Sequence, residues 1–290
     1  MIDLTKRWYQ GIANVVEGEE HEKIDRLNQF EQSGDYYAQP KCDGIYATIT
    51  GVNGKTRAFS RNCKEKEGHG LPPIDEDTML VGELGYGSQE ALARKAQFGH
   101  DFADIHDILF LRGKYVGDED ELQRRIIVKH YVLGLPKDIR KHFRLLPIWH
   151  NDFVKHYQTE HEGIVIKKKF GGPHIPGSKN NDWYKVKHEY DDDFVIMDFE
   201  LSSAATKTSV PMVRHLILGK YVNGVLTKLT SAGGMDNNTS IDMATNFSKY
   251  KEQVAVIHHY GTFNSGSVRH ASYVKLRDDK DANECIWTPK

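Results

Sequence analysis

The feature that most constrains this chain is a series of short strand-like segments near its end, separated by turn signals. Phe194–Glu200, Val213–Lys220, Val225–Thr230, Gln253–Tyr260 and Ala271–Arg277 read as strands, and Asn223-Gly224, Ala232-Gly233-Gly234 and Ser265-Gly266 read as turns. Five short strands in succession predict a small barrel. The acidic run Asp191-Asp192-Asp193 stands just before them and reads as a solvated hinge or strand lead-in. A domain boundary near residue 190 follows, with one domain over 1–190 and a second over 191–290.

The first domain mixes periods. Ile24, Leu27 and Phe30 have helical spacing within 19–32, and Ser33-Gly34-Asp35 ends that helix. From Tyr36 to Phe59 the pattern becomes strand-like, with Asn53-Gly54 as a hairpin turn. Gln89–Phe98 and Asp120–Leu133 read as helices, the second with Leu122, Ile126, Ile127 and Val128 near one side. Residues 105–111, Glu162–Lys167 and Trp183–His188 read as strands. The fold class is therefore α+β, with antiparallel sheets and helices followed by the barrel.

Composition excludes several classes. Hydrophobic residues are 39% and charged residues 28%, ordinary for a globular chain. No apolar run approaches the roughly 20 residues that span a bilayer, and the N-terminus lacks a secretory apolar core. A cytoplasmic location without membrane partners is expected. Three widely spaced cysteines suggest neither a disulfide framework nor a zinc site. The fifteen histidines are scattered, and His258-His259 is the adjacent pair. A net charge of −2 argues against a protein that coats nucleic acid, while leaving room for a local basic face.

Charged residues repeatedly bracket apolar strands. Lys41-Cys42-Asp43-Gly44 lies between two strand patterns, and Ser60-Arg61-Asn62 closes the next. Leu80-Val81-Gly82-Glu83-Leu84 sets a carboxylate inside an apolar strand. Glu162-Gly163-Ile164-Val165-Ile166-Lys167 has an acid at its start and a lysine at its end. Lys185 and Lys187 alternate onto one strand face, and Arg277-Asp278-Asp279-Lys280 closes the series. Charges in such places are costly unless paired, metal-bound or engaged by a ligand.

In this order the segments resemble the covalent nucleotidyltransferase superfamily of ATP-dependent DNA ligases, RNA ligases and mRNA-capping enzymes. That family's motifs run K-x-D-G, S-R-N, G-E-L, E-G-I-V-I-K, K-x-K and R-x-D-K. The resemblance covers roughly residues 36–280. It implies a nucleotidyltransferase (adenylation) domain followed by an OB-fold barrel. The activity implied is ATP-dependent sealing of 5′-phosphate/3′-hydroxyl nicks in duplex DNA, with roles in repair, replication or recombination. The segments Gly266–Lys280 and Leu216–Tyr221 resemble the closing and opening strands of a DNA-ligase barrel. An RNA ligase and a guanylyltransferase are the alternatives within the superfamily, and a non-catalytic binding module is the alternative outside it. Little chain precedes Lys41, which suggests a minimal ligase of the phage, viral or bacterial type, acting as a monomer in a bacterial or phage-infected cytoplasm.

The resemblance assigns roles residue by residue. Lys41 takes up AMP, with Asp43, Lys185 and Lys187 acting in catalysis. A lysine suits this step because its phosphoramidate can later be broken, and neighbouring cations favour the neutral amine. Gln39, Arg61, Glu83, His106, Glu162, Lys167, Lys185, Lys187, Arg277 and Lys280 contact ATP or AMP, the last two meeting the pyrophosphate. Mg²⁺ or Mn²⁺ is expected at Glu83, Glu162 and Asp43, since hard cations take oxygen ligands. Arg61, Lys168, Lys169 and Lys179 are expected to contact DNA. Two positions depart from the family. Tyr46 stands where the family has arginine, so Arg57 or Arg61 is expected to take over part of that role. His106 stands where the family has an aromatic residue that stacks on adenine.

Overall fold

The computed structural model describes residues 2–9, 11–86, 89–160, 162–202, 210–263 and 265–288. Two compact units emerge, Met1–Lys187 and His188–Lys290. Among the described residues no helix is long and apolar enough to cross a membrane.

The elements of the first unit run β1 (Gly11–Val15), α1 (Glu20–Ser33), β2 (Tyr36–Pro40), β3 (Ile45–Val52), β4 (Lys55–Phe59), β5 (Met79–Leu84), α2 (Gln89–Phe98), β6 (Ala103–Leu111), β7 (Lys114–Tyr115), α3 (Glu121–Gly134), α4 (Lys137–Arg140), β8 (Phe143–Leu145), α5 (Phe153–Thr159), β9 (Gly163–Lys168) and β10 (Lys179–Lys187). They form two sheets. The first has the order β1-β10-β9-β2, and the second β4-β3-β5-β6-β7 with β8 beside β6.

Alternation along the first sheet divides its work. Ala38, Ile164, Ile166 and Val186 pack on Leu27 and Phe30 of α1 and on Phe153 and Tyr157 of α5. The opposite face carries Tyr37, Gln39, Val165, Lys167, Trp183 and Lys185, aligned by register as Tyr37↔Lys167↔Trp183 and Gln39↔Val165↔Lys185. In the second sheet, Ala47, Ile49, Leu80, Leu84, Ile105 and Ile108 pack on Val128, Tyr131 and Val132 of α3. Its other face carries Tyr46, Met79, Val81 and Leu109, with Ile2 and Trp8 of the N-terminal segment packed on it.

Helix α3 is capped by the Asp120 carboxylate, which accepts from the Gln123 amide at 2.9 Å. Its inner face differs from the expected one. Ile126 is 42% exposed, whereas Glu121, Arg124 and Arg125 are buried. The reason is a charged interior. Arg124 pairs with Asp107 at 3.0 Å and with Glu121 at 2.5 Å; Glu121 also pairs with Lys167 at 3.1 Å and accepts from the Tyr37 hydroxyl at 2.6 Å. This network ties the first sheet to the second through the first turn of α3.

The second unit contains β11 (Tyr190–Leu201), β12 (Val213–Val222), β13 (Val225–Ala232), α6 (Asn237–Thr245), β14 (Val254–His259) and β15 (Ser272–Arg277). The sheet order is β13-β12-β11-β14-β15, antiparallel throughout. The two edge strands meet at one parallel bridge, Gly233↔Ser272, with the Tyr273 amide donating to the Gly233 carbonyl at 2.7 Å. This is the OB-type arrangement, a five-stranded barrel left partly open. Helix α6 was not expected; the Asp236 cap on Thr239 starts it, and Met243 enters the core. The segment Leu216–Tyr221 lies in the second strand of the unit and not in its opening strand.

The acidic run corrects a further expectation. Asp191, Asp192 and Asp193 lie within β11, and each meets a basic side chain from another part of this unit. Asp191 faces His258 at 2.9 Å, Asp192 faces Lys220 at 2.6 Å, and Asp193 binds both Arg277 and Lys280 at 2.8 Å.

Candidate active site

Strand pairing gathers the motif residues of the first unit. Pro40 ends β2, and the Lys41 amide donates to the Gly163 carbonyl at 3.0 Å. Gly163 in turn pairs with Lys187. Lys41 and Lys187 therefore flank the start of β9, with Gln39 and Lys185 one step along the same face. Two glycines permit this crowding. A Cβ on Gly163 (φ 99°) would lie 2.1 Å from the Val186 carbonyl oxygen, and one on Gly44 would lie 2.7 Å from that of Leu84.

The Lys41 ammonium donates to the Glu162 carboxylate, whose side chain is 9% exposed. Glu83 reaches the same place from β5. Burial pushes its carboxyl up to about 8, against the pull of Arg61 and Lys41, and Glu162 and Asp104 push the same way as burial. Glu83 thus senses the charges of Lys41, Arg61 and Glu162.

Tyr46 pairs with Glu83 across β3 and β5, and its buried hydroxyl has no hydrogen-bond partner among the described residues. The Gln39 amide nitrogen and His106 Nδ1 are also without partners there. Burial holds the His106 imidazole neutral, down to about 3, and the Lys167 charge adds to this. The Tyr46 and His106 rings lie 6.4 Å apart. Such buried donors and acceptors call for a polar ligand or water.

Of the two arginines expected near Tyr46, Arg57 is engaged elsewhere, holding Glu65 at 2.8 and 2.5 Å. Arg61 lies over the Tyr46 ring at 5.5 Å and over the Tyr9 ring at 4.8 Å. Tyr9 escaped the sequence reading. Its one signal there is the adjacent pair Trp8-Tyr9, too common to single out.

Other residues of the first unit lie further along its strands from Lys41. Lys167 points into the buried network, with its side chain 3% exposed against Glu121 and its ammonium 4.0 Å from the Trp183 ring centroid. Lys168 and Lys169 follow it, and Lys169 donates to the Gly34 carbonyl at 2.5 Å. Lys179, exposed, opens β10. Arg277 and Lys280 belong to the second unit and are held there by Asp193, Arg277 also by Asp279 at 2.7 Å.

Among the described residues no three His, Cys, Asp or Glu side chains are grouped as a metal cage. Asp43 does not complete one with Glu83 and Glu162. Mg²⁺ needs less, since it keeps several waters and binds through one or two carboxylates plus substrate phosphates. Glu83 and Glu162, two carboxylates that sense each other's charge, fit that demand.

The comparisons concern the fold. A solved structure named "Pmar-Lig_Pre." matches at TM-score 0.64 with 17% identity, over 84% of this chain and 64% of that one. "Pmar-Lig_PreS3" matches at 0.63 with 17% identity, over 86% and 66%. The structure named "DNA binding with a minimal scaffold: Structure-function analysis of Lig E DNA ligases" matches at 0.61 with 15% identity, over 93% of this chain and 100% of that one. The chain spans about two thirds of the first two, 64% and 66% of their length. No protein-family model matches the chain, and no curated protein matches it.

Proposed function

We propose that this chain, which has the fold of the DNA ligases, is an ATP-dependent DNA ligase that seals 5′-phosphate/3′-hydroxyl nicks in duplex DNA. Residues 1–190 would form its nucleotidyltransferase domain and 191–290 its OB-fold domain. The observation that carries the reading is the meeting of Lys41, Glu162 and Glu83 beside Lys185 and Lys187.

The Lys41 amine attacks the α-phosphorus of ATP. An N–P bond forms, the P–O bond to pyrophosphate breaks, and the amine sheds its proton. Glu162, which already accepts from Nζ, is placed to receive that proton. Lys185 and Lys187 neutralise charge that develops on the α-phosphate. AMP then passes to the 5′-phosphate of the nick, which Arg61 binds, and the 3′-hydroxyl displaces it. Mg²⁺ or Mn²⁺, held by Glu83 and Glu162 with Asp43 near by, would supply further charge neutralisation at the phosphates. Gln39, Tyr46 and His106 offer their unpartnered polar atoms to the nucleoside. Lys168, Lys169 and Lys179 are assigned to the duplex beyond the nick. The setting is the cytoplasm of a bacterial or phage-infected cell, with the enzyme acting as a monomer.

The direct test is sealing of a 5′-phosphorylated nick with Mg²⁺ and either ATP or GTP. Sealing with ATP is expected. Labelling of the protein by GTP alone would point to a guanylyltransferase, and sealing of nicked RNA but not DNA to an RNA ligase.

Arg277 and Lys280 must exchange Asp193 for pyrophosphate oxygens if they serve the first step. Arg277→Ala is therefore expected to slow self-adenylation by about 10²-fold while sparing closure of a pre-adenylated nick. Equal losses in the two assays would remove Arg277 from that step.

A further inference from the structure

We infer that Tyr9 is a positioning residue of the nick-binding site, acting through Arg61. The inference rests on the ligase reading above and extends the site to a segment remote from every motif.

Residues 2–9 are strapped onto the second sheet. The Ile2 amide donates to Asp77 at 3.3 Å, and the Trp8 indole donates to the Asp3 carbonyl at 2.7 Å. The Trp8 ring meets Phe110 edge-on at 4.8 Å and Tyr115 at 5.8 Å. His174 Nε2 lies 2.5 Å from the Trp8 carbonyl oxygen, and the Tyr9 carbonyl accepts from the Gly177 amide at 2.8 Å. The backbone on both sides of the Trp8–Tyr9 bond is therefore fixed.

That anchoring delivers the Tyr9 ring edge-on to Tyr46, 4.8 Å between centroids. Arg61 lies across both rings, at 4.8 Å from Tyr9 and 5.5 Å from Tyr46. Arg61 is exposed, and the carboxylate that feels its charge, Glu83, makes no ion pair with it among the described residues. A guanidinium held by ring faces keeps its hydrogen-bond donors for an anion, and a planar fork suits a phosphate. At position 46 a tyrosine gives Arg61 a ring face to lie on. The Tyr9–Tyr46 pair therefore holds the Arg61 guanidinium between two rings with its donors left for an anion.

The experiment compares binding of nicked duplexes carrying a 5′-phosphate or a 5′-hydroxyl to adenylated enzyme without divalent cation. Each affinity is normalised to the adenylated fraction. The wild type is expected to prefer the phosphate, and Arg61→Ala to lose the preference. Tyr9→Leu should cut the preference about 5-fold, Tyr9→Phe should keep it, and Tyr9→Leu in the Arg61→Ala background should change nothing further. The inference is overturned if Tyr9→Leu weakens both duplexes equally, keeps the wild-type preference, or adds to the Arg61→Ala loss. A wild type indifferent to the phosphate would instead sink the nick-sealing reading itself.

Discussion

Lys41→Arg is expected to abolish the covalent AMP adduct and to lower nick sealing with ATP on the order of 10⁴-fold or more, as removal of a reacting nucleophile does. Arginine keeps the positive charge that Glu162 holds. Its guanidinium stays protonated and offers no usable lone pair. Folding and ATP binding should therefore survive, and the loss should fall on chemistry. Intact-protein mass spectrometry after incubation with ATP and Mg²⁺ reads the adduct directly. A nick supplied already adenylated bypasses Lys41, and its closure should be largely retained. An adduct still formed by the variant would move the nucleophile elsewhere, with Lys185 and Lys187 as the neighbours to replace next. Normal sealing without any adduct would remove the covalent mechanism altogether.

Much of this arrangement was legible because strands write their periodicity into sequence. The five strands of the second unit were readable from alternation and turns, and so were α1, α2 and the strand after Glu162. Lys41, Glu162, Lys185 and Lys187 meet because β2, β9 and β10 pair in one register, so local motifs sufficed to nominate them. What was not legible depended on partners far along the chain. Helix α6 has the polar sequence Asn-Asn-Thr-Ser at its start, and only its cap residue announces it. Lys167 stands at a strand end and resembles a nucleotide contact, and its pairing with Glu121, 46 positions away, leaves no trace in the local pattern. The Asp191–Asp193 run looked solvated, since its partners come from β12, β14, β15 and the turn after β15. Tyr9 reaches Arg61 only after the N-terminal segment has docked. A hydrophobic pattern likewise assigned Ile126 to the inner side of α3, because it cannot foresee an interior that contains carboxylates.

That interior makes the second large prediction. Arg124 is 1% exposed and is shared by Asp107 and Glu121, with Lys167 as the second cation of the network. Arg124→Met keeps the bulk and removes the charge, leaving two buried carboxylates to one lysine. Breaking a buried ion pair on one side costs about 3–5 kcal/mol, because the remaining charge is uncompensated. The melting temperature of the first unit should fall by roughly 10 °C. The pH dependence identifies the cause. Burial alone would push the Asp107 carboxyl up, but Arg124 and then Lys167 outweigh it and hold the group at about 2, against an ordinary 3.8. A depressed carboxyl stabilises the folded state above its unfolded pKa and ceases to do so as pH falls through the folded value. The gap between wild type and Arg124→Met should therefore be widest above about pH 3.8 and narrow towards pH 2. Replacing all four groups together, with Asp107→Asn, Glu121→Gln and Lys167→Met added, should restore much of the stability, since no uncompensated buried charge remains. A gap independent of pH would assign the loss to packing and leave the ionic tie between the two sheets with no part in the stability of the first unit.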